Sequence, residues 1–189
     1  MMETLKATLV GVAPLLMHNG RLADPLDPAT KALKAISSKR KKTDEDLELM
    51  RKLEWFGSLY QGPAGEIGIP ADNILALVVA GAKKNKLGKD AASSVREARP
   101  FFALKYEGPK APLALYETPG FCDVRGVRVT TSRVMRARPR FATWSLPVEL
   151  VIEADVIDVG NVLTALKIAG QVVGLGDYRP RFGRFEVKK

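Results

Sequence analysis

The chain has 189 residues, which suits one domain or one domain with a large insertion. Its formal net charge of +9 and pI of about 9.7 fit a nucleic-acid or membrane-surface partner. A single cysteine, Cys122, excludes an internal disulfide and a zinc cluster of paired cysteines. No stretch reaches the roughly 18 apolar residues of a membrane span.

The start of the chain is polar at Glu3 and Thr4, and its first apolar run is broken by Pro14, so it does not read as a signal peptide. The chain reads as cytoplasmic, without a membrane partner. Leu5–Val12 is apolar and rich in Leu, Val and Thr, a first strand stopped by Ala13-Pro14. A polar, proline-punctuated loop from His18 to Pro28 leads to a short helix around Ala29–Ile36. The basic run Lys39-Arg40-Lys41-Lys42 abuts Thr43-Asp44-Glu45-Asp46, where Thr43 and Asp46 have the spacing of a capping box. Leu49, Leu53, Phe56 and Tyr60 then recur at helical spacing, so Thr43–Tyr60 is expected to be an amphipathic helix with that face buried.

Gly62–Gly68 reads as a turn, and Pro70 as the opening of a third helix with Ile74, Leu77, Val78 and Ala82 on its buried face. Its Lys-rich end, Lys83-Lys84-Asn85-Lys86, suits a helix C-terminus. A polar segment, Lys89–Arg96, precedes an expected strand at Phe101–Tyr106. Leu113–Tyr116 reads as a short strand. Gly126–Thr131 and Arg133–Arg138 read as a twisted hairpin. Phe141–Glu153 alternates through Trp144, Leu146, Val148, Leu150 and Ile152, a half-buried strand that Pro147 pushes towards an edge or bulge. Asp158 caps a last helix with Val159, Val162, Leu166, Ala169 and Val173 on its core face, and Arg184–Val187 closes the chain as a strand.

Without insertions the order is strand, helix, strand, strand, helix, strand. That predicts an α+β, ferredoxin-like (RRM-like) βαββαβ core in a single domain. A helical insertion at 29–96 and a hairpin insertion at 107–140 decorate it.

Two segments carry the functional signal. The first is Gly174 to Val187, which holds three glycines, three arginines and three aromatics within fourteen residues. Glycine allows positive φ and close approach, arginine matches phosphate, and aromatic faces stack on bases. Tyr178, Arg179, Arg181, Phe182 and Arg184 are the candidate nucleic-acid contacts, with Phe185 either a stacking group or part of the core. The second is the hairpin, where Arg125, Arg128, Arg133, Arg136, Arg138 and Arg140 fall in a stretch, Val124–Val148, without an acidic residue. A ribbon of one charge sign repels itself unless a polyanion neutralises it, and exclusive use of arginine favours phosphate contact. Lys39, Arg40 and Lys41 add a weaker basic candidate.

Ile69-Pro70-Ala71-Asp72-Asn73-Ile74-Leu75-Ala76-Leu77 resembles the helix start of the repeat-associated mysterious proteins, the RAMP superfamily of CRISPR-associated proteins. Gly174-Leu175-Gly176 through Gly183-Arg184-Phe185 is similar to their glycine-rich loop, and the strand ending at Gly11-Val12-Ala13-Pro14 to their first strand and turn. Ala71-Asp72-Asn73 stands where that family has Gly-Ser-Ser. The arginine hairpin inserted in the core looks most like the thumb of Cas7-like backbone subunits, and the chain also resembles proteins of phages and mobile elements. The resemblance implies single-stranded RNA, with single-stranded DNA as the alternative, held along a helical filament. It further implies an antiviral setting, self-association and other complex subunits, with Gly126–Arg140 as the thumb.

For catalysis the weak candidates are His18 and Asp24, because the resemblance includes ribonucleases that use a histidine or an aspartate after the first strand. A lone loop histidine is more often structural, and Asp24-Pro25 and Asp27-Pro28 are ordinary turn and helix-start dipeptides. The sequence has no P-loop, dinucleotide fingerprint or HExxH spacing, so no cofactor or metal is expected. Binding without catalysis is the expectation, with a RAMP-type endoribonuclease or a structural protein of a phage or other assembly as alternatives.

Overall fold

A computed structural model describes residues 1–129 and 131–188, leaving aside the side chains of Val129 and Ser132. Thr130, within the expected hairpin, lies outside the described residues. Among the described residues the elements run β1 (Met2–Gly11), β2 (Leu15–Leu16), α1 (Pro28–Ser37), α2 (Asp44–Ser58), β3 (Gly68–Pro70), α3 (Ala71–Ala82), α4 (Gly88–Ser94) and β4 (Val95–Glu97). They continue β5 (Phe101–Ala103), α5 (Pro112–Glu117), β6 (Cys122–Val129), β7 (Ser132–Phe141), β8 (Ser145–Glu153), α6 (Val159–Val172) and β9 (Phe185–Lys188). The class is α+β, as the sequence predicts. Contacts divide the chain into two units, one of Met1–Leu15, Gln61–Glu107 and Ala142–Lys189, the other of Leu16–Tyr60 and Gly108–Phe141.

Unit one is built on an antiparallel sheet in the order β9–β1–β8–β4, with α3 and α6 in its crossovers. Alternation explains its two faces. Leu5, Ala7 and Leu9 of β1 and Leu146, Val148, Leu150 and Ile152 of β8 are buried, whereas Thr4 and Lys6 are exposed. The α6 helix lies against β1 and β9 and packs on α3. Gly81 permits that packing, since a Cβ there would run into the Ala165 carbonyl. Asp158 accepts from the Asn161 N–H and caps α6, and Val162, Leu166 and Ala169 are buried as predicted.

The second strand of this sheet is not the one the sequence suggests. Val95–Glu97 pairs with Leu150–Ile152, while Phe101–Ala103 pairs with Gly68–Pro70 in a separate ribbon. Pro100 lies between them, and its carbonyl accepts from the Ala71 N–H at 3.0 Å, so the chain leaves β8 there. It returns only at Lys105, whose N–H and carbonyl both bond to Ser145.

Pro147 stands opposite Thr8 of β1. Its neighbours two residues away, Ser145 and Glu149, turn their backbone groups towards Lys105 and Ala98, away from β1. Pro147 therefore faces the gap between those two contacts, where a missing N–H forfeits no ladder bond.

Unit two consists of α1, α2, α5 and the β6–β7 hairpin. The predicted capping box is present: Asp46 N–H donates to the Thr43 hydroxyl and Thr43 N–H to the Asp46 carboxylate. The buried face of α2 differs from the expected one. Leu49 is exposed, and Glu54, Trp55, Gly57 and Ser58 are buried. Two polar anchors set this rotation, because Trp55 Nε1–H donates to the Phe121 carbonyl at 2.9 Å and Glu54 bonds into β7. Leu113–Tyr116 is helical rather than extended, since Pro112 occupies the first turn with its φ preset for a helix. Tyr116 meets Trp55 edge-on at 5.3 Å.

Candidate nucleic-acid interface

The glycine-rich loop belongs to unit one. Gly174, Gly176 and Gly183 all have positive φ. Leu175 N–H donates to the Gly183 carbonyl at 2.8 Å, and Gly183 N–H to the Pro14 carbonyl at 2.8 Å. A Cβ on Gly174 would lie 2.6 Å from the Phe182 carbonyl, and one on Gly183 would overlap the Leu175 carbonyl. Two of the three glycines thus close the loop on itself. What the closed loop presents is Tyr178, Arg179, Arg181 and Arg184, all exposed, with Phe182 half-buried. Tyr178 and Phe182 meet edge-on at 5.8 Å. Tyr178 is held at φ 58°, a left-handed conformation that costs a non-glycine residue about 1 kcal/mol. Phe185 is buried against Trp144 and belongs to the core.

The arginine hairpin belongs to unit two, and its register assigns its arginines different work. Arg125 stands opposite Arg136, and Arg128 opposite Arg133. Like charges facing each other across an antiparallel pair are destabilising. Arg125 is paired with Asp123, and Arg136 with Glu54 at 2.5 Å. The same Glu54 carboxylate accepts the Ala137 N–H at 2.8 Å, so a buried acid on α2 fastens the base of the hairpin twice. Arg138 is buried, and Arg140 donates to the Gly120 carbonyl at 3.2 Å. Arg128 and Arg133, near the tip, are exposed.

Lys39, Arg40 and Lys41 are exposed, in unit two. Lys39 bonds Asp46 at 2.6 Å, which holds the Asp46 carboxyl below its usual range and braces the α2 cap. His18 is exposed, with Nδ1 at 3.4 Å from the buried Ser58 hydroxyl, and its carbonyl accepts from the Tyr60 hydroxyl. Asp24 accepts the Leu26 N–H at 2.9 Å, the geometry of a local turn. Asp27 caps α1 through the Ala29 N–H, and Arg21 beside it lowers its pKa. Cys122 is half-buried, and burial raises its thiol pKa. Among the described residues no group of three or more His, Cys, Asp or Glu is placed to hold a metal ion, and no helix is long and apolar enough to cross a membrane.

Sequence reasoning missed Glu54, since a lone acid in a helix normally reads as a solvated position. Its one signal is its place next to Trp55, on the side of α2 that Trp55 draws inward.

No protein-family model matches the chain, and no curated protein matches it. Among solved structures the chain is similar to Cmr6 from Pyrococcus furiosus, with 9% identity over 98% of each chain and a TM-score of 0.37.

Proposed function

We propose that this chain binds single-stranded nucleic acid, RNA in preference to DNA, through the phosphate backbone and without sequence specificity. The observation that carries this reading is the hairpin tip, where exposed Arg128 and Arg133 stand directly opposite one another in a stretch without an acidic residue. Exposed guanidinium groups side by side suit a phosphate, which each can bind in a planar, bidentate manner. The glycine-rich loop adds exposed arginines beside Tyr178 and Phe182, the mixture that holds a single strand by charge and stacking. In this proposal the chain is a repeating subunit of a helical nucleoprotein assembly of the Cas7-like, CRISPR-effector kind, joined to itself and to other subunits.

Binding proceeds without cleavage in this reading. Asp24 is engaged in its own turn, and His18 faces a buried serine hydroxyl. Protein purified from cells is expected as a large, nucleic-acid-rich species that collapses on ribonuclease but not deoxyribonuclease treatment. A small, nucleic-acid-free species would refute the reading. Labelled RNA incubated with wild type and with His18→Ala is expected to stay intact in both.

A further inference from the structure

In unit one, the departure of the chain from β8 at Ala98 and its return at Lys105 leave a cavity of about 400 Å³ beside Pro147. That volume lies in the range of small-molecule sites. One side is apolar, formed by Phe101, Ala103, Pro147 and Val148. Two glycines seat Phe101: a Cβ on Gly62 would lie 2.7 Å from its ring and one on Gly68 2.5 Å from it. The ring is therefore held along one edge, and it is half-buried where it lines the cavity.

The charged part of the lining is mainly cationic. Lys6, Arg99 and Lys105 contribute three positive charges, and Glu149 is the one carboxylate. Glu149 is shared by Lys6 at 3.4 Å and Arg99 at 3.7 Å, distances of loose ion pairs rather than of a bidentate clamp. Both cations are mostly solvent-exposed and can turn to a further anion. An aromatic wall beside a surplus of two positive charges matches a flat ring that carries a phosphate.

We infer that this cavity binds a nucleotide, with the base against Phe101 and Pro147 and the phosphate among Arg99, Lys105 and Lys6. The nucleotide is either a free mononucleotide or one unit of a bound strand, and the chemistry of recognition is the same. The site shares no residue with the hairpin or the glycine-rich loop, so it stands independently of their role.

Calorimetric titration of the full chain with AMP, adenosine and inorganic phosphate tests the inference. AMP is expected to bind saturably, and adenosine and phosphate each about tenfold more weakly or less, since each lacks half of the recognition. The Arg99→Ala, Lys105→Ala double variant should lose about tenfold in AMP affinity at an unchanged melting temperature, because both side chains are exposed and the Lys105 backbone bonds survive. Phe101→Leu should weaken AMP and leave phosphate unaffected. Phosphate binding as tightly as AMP, AMP failing to saturate, or a double variant equal to wild type would each overturn it. The Arg128→Ala, Arg133→Ala variant separates this site from the proposed strand interface, and should keep AMP affinity while weakening RNA binding. In the wild-type chain, displacement of AMP by a short oligonucleotide assigns the site to the strand, and its absence assigns it to a free nucleotide.

Discussion

Gly183 sits at φ 71° with its Cα facing the Leu175 carbonyl, so alanine there is both strained and obstructed. Gly183→Ala should cost more than about 1–2 kcal/mol, the left-handed penalty alone, and lower the melting temperature accordingly. A melting temperature equal to wild type would mean that the loop is not closed as described. Glu54 is a second residue with an outsized role. Its carboxylate holds the Arg136 guanidinium and the buried Ala137 N–H together. Glu54→Ala should destabilise by about 3 kcal/mol, the low end for breaking a buried pair, because the Arg136 side chain keeps 35% exposure. Denaturant unfolding measures this. Glu54→Gln should recover part of the loss, since its side-chain oxygen still accepts the Ala137 N–H.

At the scale of elements, α2 shows how local and tertiary signals divide. Its start is a property of four consecutive residues, Thr43 to Asp46, and was legible as a capping box. Thr43→Ala should cost about 1 kcal/mol. The Lys39 hydrogen bond, followed by the Thr43 N–H, depresses the Asp46 pKa. A carboxylate depressed in the folded state stabilises it above the ordinary carboxylate range, and that contribution fades as pH falls through the lowered folded value. NMR titration should place the Asp46 midpoint below the usual range, and Lys39→Ala should move it upward. The buried face of α2 was not legible, because Leu49 scores as apolar in sequence while Glu54 and Trp55 have partners 66 to 83 residues away. Similarly, Val95–Glu97 is too short and polar to announce a strand. It becomes one because Leu150–Ile152 offers an edge.

For the whole molecule, the measurable consequence of the hairpin is ionic. Replacing Arg128 and Arg133 by alanine should weaken RNA binding at every sequence tested. It should also flatten the slope of log affinity against log salt by about 1.4, at roughly 0.7 per phosphate released from a single strand. An unchanged slope would remove the hairpin from the interface. The sequence by itself determined the α+β class, the long strands β1 and β8, the caps of α2 and α6, and where the positive charge is concentrated. Each of these follows from residue periodicity or from neighbours within one turn of chain. Only the tertiary structure decided which arginines serve the fold and which reach solvent. It also decided which short segments join the sheet, and that Lys6, Arg99, Lys105 and Glu149 share one cavity. The reason is physical: an ion pair, a strand edge or a pocket is made by groups far apart in the chain, and their type alone does not reveal their partner.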